Sequence, residues 1–491
     1  MLVTISDLHL TDGSNGVGLD PGALDMFAQR LADLASRASW RADGRYRPVD
    51  RIDLVLLGDV LDLIRSRRWL AGGTRPWSDL ASPQLLDTTA HIVDDVLRHN
   101  DAALRTLRAL GTEGVIRLPQ ATAAGTPIPG SDGTPVPVII HYMVGNSDWL
   151  LHVRGSGFDL LRQRVSHAMG LINEHKQPYP HEAAESDDLL DALRRHSTLA
   201  RHGDVFDPIH CGDDRDAASL GDAIAIELVQ KFLIEFEQKF ADDLSPNVLA
   251  AIRELDHFRP IMLSAVYLEG ILERNCPRPA LRKEIKHTWD SLVEELLGLS
   301  QIKHLTSLNL IDDLAAALLF SRKVSLGWAT NIRQWLSGLR GANDASYFQH
   351  ALAEADYRNR RAKHIVYGHT HHSETIPLDA SYADGYVLQQ TYFNTGTWRR
   401  VYQQTHSIAG QHEFLANDTF SYLAFFQGDE RGGRAYETWS GSLGADIVQS
   451  INLPNAAGLR PAAAAPAIVP TLRSPHFAMP GAPRPAAARR S

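Results

Sequence analysis

The sequence predicts an α/β fold carrying a large helical insertion. Three observations lead there. The first part of the chain alternates short branched-apolar runs with an amphipathic stretch: Leu2–Ile5, then 20–38, then Ile52–Leu57, the pattern of a βαβ unit. The apolar runs stop abruptly at Gly, Asp, Asn or His, and open α/β sheets carry their chemistry just past the ends of buried strands. From about 217 to 360 strand-like runs become scarce, and apolar residues recur at helical spacing.

Taken in order, Leu2–Ile5 reads as a buried strand followed by Ser6-Asp7-Leu8-His9. Residues two apart in extended chain face the same way, so Asp7 and His9 offer one carboxylate and one imidazole together. The stretch 20–38 reads as a helix packing Leu24, Phe27, Leu31 and Leu34 on the sheet. Ile52–Leu57 is the central strand, buried on both faces, and it ends in Gly58-Asp59 with Asp62 close behind. A single helix is expected over 83–111, and a Pro/Gly/Thr-rich loop or hairpin over 119–137. The run 138–144 is a third strand ending in Gly145-Asn146-Ser147-Asp148, and helical pattern resumes over 157–172. His202-Gly203-Asp204 follows, then the helical insertion, in which Ser245-Pro246 reads as an N-cap with proline at the first helical position and Pro277 and Pro279 punctuate a helix end. Within it, 322–340 is a basic amphipathic stretch that reads as a cap helix or as a peripheral membrane or lipid contact. His364–Tyr367 is strand-like and runs into Gly368-His369-Thr370-His371. Further strands are expected over 386–390, 391–398 and 420–426, and the Pro/Ala-rich tail from 454 reads as disordered.

Bulk properties narrow the class. The 491 residues are 44% hydrophobic and 22% charged, an ordinary globular composition. The net charge of −9 counts against a nucleic-acid surface, which needs clustered Lys and Arg. Two distant cysteines, Cys211 and Cys276, form neither a disulfide framework nor a metal motif. With no basic-then-apolar leader at Met1 and no apolar run near the roughly 20 residues of a membrane span, the expectation is a cytoplasmic protein.

The ordered set Asp7-x-His9, Gly58-Asp59-x-x-Asp62, Gly145-Asn146-x-Asp148, His202 and Gly368-His369-x-His371 resembles the calcineurin-like metallophosphoesterase superfamily. The resemblance covers roughly residues 1–210 and 361–400. It implies a four-layer α/β/β/α sandwich with a helical cap insertion: a catalytic core in two parts, 1–210 and 361–453, the cap at 211–360 and the tail at 454–491. It also implies two divalent metals, one held by Asp7, His9 and His371, the other by Asn146, His202 and His369, with Asp59 bridging. Asp59, Asn146 and His202 then stand at the reacting centre as well. A donor set of carboxylate or amide oxygens and four imidazoles suits Mn, Fe or Zn better than Ca, with Mn placed first. Two cations about 3.5–4 Å apart share a hydroxide and clamp the oxygens of an in-line displacement at phosphorus.

Within the superfamily the motifs resemble most the UDP-diacylglucosamine pyrophosphohydrolase branch, although this insertion is much longer. Leu63 and Asp148 stand where protein Ser/Thr phosphatases carry Arg and Glu, and the tyrosine ligand of purple acid phosphatases has no counterpart. Ser147 occupies a position where many members carry a histidine that protonates the leaving group. A phosphate or nucleotide leaving group needs no such proton, so the expected substrate is a small nucleotide-like or lipid-linked phosphoester or phosphoanhydride. Asp148 and His141 are the alternative proton sources. Asp62 and Asp148 also read as groups that support a ligand or cap a helix. Arg215, among Asp213, Asp214 and Asp216, reads as a phosphate contact or as part of a helix-start charge cluster. Two other readings compete: a metal-dependent nuclease, and a metal-stabilised scaffold that binds a partner through the insertion.

Overall fold

Branched apolar runs become the centre of two sheets in the computed structural model. It describes residues 1–14, 18–130, 132–212, 214–257, 261–300, 302, 308–320, 346–383, 386–404 and 414–442. The strands are β1 Leu2–Ile5, β2 Ile52–Leu57, β3 Arg117–Leu118, β4 Thr134–Pro135, β5 Val138–Met143, β6 Thr198–Ala200, β7 His364–Tyr367, β8 Ser373–Ala383, β9 Tyr386–Thr395, β10 Arg400–Gln404, β11 Phe414–Phe425 and β12 Tyr436–Ser442. One sheet runs β10-β11-β1-β2-β5, with β12 also paired to β11. The other runs β6-β7-β9-β8, and β3 pairs with β4 in a small hairpin. In each large sheet the site-bearing strands are parallel: β1, β2 and β5 in the first, β6 and β7 in the second.

Period-two alternation sorts the central strand. Val55 and Leu57 join Leu2 and Met143 in a cluster with Ala200, Val366 and Phe393 of the second sheet. Leu54 and Leu56 instead join Val3, Ile5 and the residues of the flanking helices. The helix Pro21–Ala38 buries Leu24, Phe27, Leu31 and Leu34, and Asp20 caps it by accepting from the Gly22 N–H at 2.7 Å. The helix expected over 83–111 is two helices, Pro83–His99 and Asp101–Thr112. Asn100 breaks it, because its side-chain amide turns to the carbonyls of Val96 (2.7 Å) and Thr11 (2.8 Å). The 386–390 and 391–398 runs merge into the single strand β9, which stops at Thr395, three residues short of the expected end.

Among the described residues of 217–360 every regular element is helical. Proline takes the first helical position in Pro246–Arg253 and Pro279–Gly298, so Pro279 opens a helix rather than closing one. Ile224–Gln230 is wound as a π-helix, and Gln230 reaches the Ile64 carbonyl at 3.2 Å. Ile224, Leu228, Phe232 and Phe236 merge with the core cluster behind the first sheet. Met1–Val448 and Gln449–Ser491 are separate units, and every described residue belongs to the first. The basic stretch 322–340 and the tail from 454 lie outside the described residues, as does Asp213. No helix among the described residues is long and apolar enough to cross a membrane.

Asp53 sets one stability prediction. It is buried at the start of β2 and meets His141 at 3.3 Å and Arg195 at 3.0 Å, with the Arg51 guanidinium also on it. Burial pushes its carboxyl up, but His141, Arg51 and Arg195 together hold it well below the usual range. Such a depressed acid stabilises the fold above its unfolded pKa near 4, and that stabilisation is lost as pH falls towards the folded value. Asp53→Ala should cost about 2 kcal/mol at pH 7, a figure kept low because both arginines are partly in water. In urea denaturation the gap from the parent protein should narrow as pH drops below about 4. A gap independent of pH would show that the ion pairs contribute nothing.

Candidate metal centre

Each expected ligand sits just past the C-terminal end of a parallel strand: Asp7 and His9 after β1, Asp59 after β2, Asn146 after β5, His202 after β6, His369 and His371 after β7. The two sheets therefore meet at one edge, and all seven side chains are buried there. The backbone is bent to bring them in. Of the eight described non-glycine residues with positive φ, five are Asp7, His9, Asp59, His369 and His371. That conformation costs of order 1–3 kcal/mol per residue and persists only where the surroundings over-determine it. The bends are tied together: Asp7 N–H donates to the Gly58 carbonyl at 3.1 Å and His9 N–H to the Asp59 carbonyl at 2.9 Å.

The glycine before each turn is dictated by close approach. A Cβ on Gly145 would strike the Asp59 carboxylate and lie 2.6 Å from the His202 ring. One on Gly58, which also has φ +82°, would lie 2.5 Å from His202 Nδ1. Gly145→Ala should displace both side chains and lower metal retention at least tenfold at a stability cost of about 1–3 kcal/mol. Metal analysis after gel filtration checks it; retention equal to the parent would mean that the loop gives way freely.

The donor atoms converge as two groups. Asp7, His9 and His371 form one set, and Asp59, His202 and His369 the other; within each set the donors all lie within 4.8 Å of one another. In the first set His9 Nε2 and His371 Nε2 face each other at 3.1 Å, and Asp7 Oδ1 lies 3.3 Å from His371 Nε2. In the second, Asn146 Oδ1 is 3.3 Å from His202 Nε2. Asp59 touches both sets: one oxygen is 3.5 Å from His9 Nε2 and the other 3.5 Å from His202 Nε2. Separations of about 3–3.5 Å are the edges of a coordination shell with metal–ligand bonds near 2.1 Å. Asp7 Oδ1 is buried with no hydrogen-bond partner, an orphan that a cation satisfies.

Tautomers are set from behind. His202 Nδ1–H donates to the Leu57 carbonyl at 2.9 Å and His9 Nδ1–H to Asp62 Oδ2 at 2.9 Å, which aims both Nε2 atoms inward. Asp62 therefore stands behind His9. Burial pushes the His9 imidazole down to about 4, the neutral form a ligand needs. Burial also disfavours charge on His202, but Asp59 and Asp7 outweigh it and push that imidazole up to about 10. Burial raises the Asp7 carboxyl, whereas His202 and His9 hold Asp59 well below the usual range against the same burial. A cation at this edge competes with protons for the same donors.

The remaining candidates take other places. Ser147 donates its N–H (2.7 Å) and its hydroxyl (2.9 Å) to the two Asp59 oxygens, so it fixes that carboxylate. Asp148 accepts from the Gly145 and Val60 N–H groups and the Tyr142 hydroxyl, bracing the β2 and β5 loops from the inside. His141 does not reach the site: it lies mid-strand opposite Val55 and bonds Asp53. Arg215 is clamped by both Asp204 oxygens, at 2.8 and 3.1 Å, and by Glu182 at 3.0 Å. It lines a narrow cleft, with room for about one water, together with Asn146, His181, Asp204 and His210. The 394–398 stretch supports the ligand loops, Asn394 through the Gly368 carbonyl and Thr397 through the Asp7 carbonyl.

Sequence reasoning missed Asp207 and His210. Asp207 Oδ2 meets His369 Nε2 at 3.1 Å, and Asn146 Nδ2 donates to His210 Nδ1 at 3.3 Å. Their one signal was closeness in sequence to His202. It also missed the charges behind Asp62: Arg65, Arg399 and, from the insertion, Asp256 and His257. Neither a protein-family model nor a curated protein matches this chain. The chemistry of the centre therefore rests on its own geometry.

Proposed function

We propose that this chain is a dinuclear-metal phosphohydrolase of the calcineurin-like metallophosphoesterase type, with the four-layer sandwich that type implies. The observation that carries the reading is Asp59, a buried carboxylate whose two oxygens face two separate sets of metal-donor side chains. The apolar cluster shared by the two sheets, with helices packed behind the first, supports the layer order.

Asp7, His9 and His371 would hold one divalent ion, Asn146, His202 and His369 the other, and Asp59 both; manganese is the first choice for this donor set. Bound there, the pair supplies a nucleophile at neutral pH and neutralises charge developing on phosphorus. The protein's own part is placement. Ser147 holds the Asp59 carboxylate by two hydrogen bonds, and the Leu57 carbonyl and Asp62 hold His202 and His9 in their ligating tautomers. Because the Ser147 hydroxyl is committed to Asp59, it offers no proton to a departing group. That favours phosphoanhydrides and esters with stable leaving groups over simple alkyl esters.

The test is hydrolysis of bis(p-nitrophenyl) phosphate by the full chain with Mn²⁺, beside a nucleotide diphosphate ester and an alkyl phosphomonoester. Metal-dependent turnover of the first two, with the alkyl ester slowest, is the expected result. No turnover by protein shown to hold metal would overturn the reading.

A further inference from the structure

A third group of metal donors stands apart from the two at the strand ends. His152, His181 and Asp216 bring their donor atoms within 4.8 Å of one another. His152 Nε2 is 3.4 Å from Asp216 Oδ1, and His181 Nε2 is 3.8 Å from the same oxygen. The two imidazole centroids are 4.4 Å apart. Donors on a tetrahedral zinc with bonds of about 2.0–2.1 Å are separated by about 3.3 Å, so a small inward shift of His181 closes the set.

Two further observations point to a ligand. His181 is 4% exposed, yet neither of its ring nitrogens has a hydrogen-bond partner. A buried imidazole left so is costly unless something binds it. His152 is prepared from behind: its Nδ1–H donates to the Tyr179 carbonyl at 2.7 Å, which leaves the Nε2 lone pair facing Asp216 and His181. The nearby Arg215 guanidinium is already matched by Asp204 and Glu182.

We propose that His152, His181 and Asp216 form a third divalent-metal site of zinc type, with a coordination position left for water. The ion would tie the stretch after His202 to the two segments that carry His152 and His181, a metal staple at the wall of the cleft that His181 shares with Asn146 and His210.

The test counts ions. Full-length protein is stripped with chelator, loaded with Zn²⁺, desalted and analysed by mass spectrometry, in parallel with His181→Gln and Asp216→Asn. Asp216 is exposed, so its variant should fold as the parent does. The expected result is one ion fewer per chain in each variant. It is also one ion fewer when the same substitutions are made on an Asp59→Asn background, so the difference, not the total, reads this site. Zinc should raise the Tm of the Asp59→Asn protein by more than it raises that of the Asp59→Asn, Asp216→Asn protein. Equal zinc content in the parent and Asp216→Asn would overturn the proposal, whatever the strand-end centre binds.

Discussion

Asp59→Asn should lower metal-dependent turnover of bis(p-nitrophenyl) phosphate by about 10³-fold or more, with the fold intact. The amide keeps the size of the carboxylate and can still accept from Ser147, whose N–H and hydroxyl now reach the two oxygens at 2.7 and 2.9 Å. What it loses is charge and one ligating oxygen. Asp59 faces His9 with one oxygen and His202 with the other, so an amide serves one donor set at most. Bound metal should fall by one ion or more at the strand-end centre. His202 should also lose the proton that Asp59 now stabilises first against burial, so circular dichroism and the urea midpoint are measured alongside. A variant that folds, keeps both ions and turns over within tenfold of the parent would show that Asp59 does not bridge them.

How the strand-end residues came to be legible has a physical reason. A parallel strand buried on both faces is a short branched-apolar run, and polar residues gather where it ends. The break at Leu57-Gly58-Asp59 or Tyr367-Gly368-His369 is therefore visible in one dimension. Glycine marks the same places because a Cβ would strike the His202 ring at Gly58 and the Ser6 and Asp7 side chains at Gly368. The strands that went unread are the three-residue parallel β6, too short to show a run, and antiparallel ones with mixed composition, such as β8 and β12, whose Ser, Glu and Gly content gives no run to see. His141 misled for the opposite reason. It lies five residues before Asn146, but five residues of extended chain span about 16 Å, and that puts it beside Asp53 instead.

Residues that act on the centre from other parts of the chain carry no local signal at all. Asp256 is the clearest case: it belongs to a short 3₁₀ turn, Glu254–His257, in the helical insertion, and only folding brings it 3.0 Å from Arg65. Arg65 also pairs with Asp62, which accepts from His9. The chain of contacts from insertion to candidate ligand is therefore Asp256, Arg65, Asp62, His9, all buried. The insertion is wired to the candidate metal centre by charge, not only laid over it.

That wiring sets the second large effect. Arg65→Met should destabilise the protein by about 3–5 kcal/mol, because it leaves two carboxylates in the interior with their shared cation removed. Burial pushes the Asp62 carboxyl up, and Arg65 and then His9 hold it well below the usual range; burial leaves Asp256 raised even with Arg65 beside it. Without the guanidinium, Asp62 becomes a weaker partner for His9 Nδ1–H, and metal affinity should fall about 10–100-fold through the loosened ring. Arg399, 3.9 Å from Asp62, is placed to offset only part of the lost charge. Asp256→Asn alone should cost much less, since it removes a carboxyl that burial already disfavours. The double variant should recover part of the Arg65→Met loss, a coupling of about 1–3 kcal/mol in a double-mutant cycle. Urea denaturation reads the stability, and calorimetric Mn²⁺ titration reads the affinity. If Arg65→Met unfolds within 1 kcal/mol of the parent and binds manganese as tightly, the insertion is a passive cover. If the two losses appear together and Asp256→Asn relieves the first, the insertion helps to hold His9 in place.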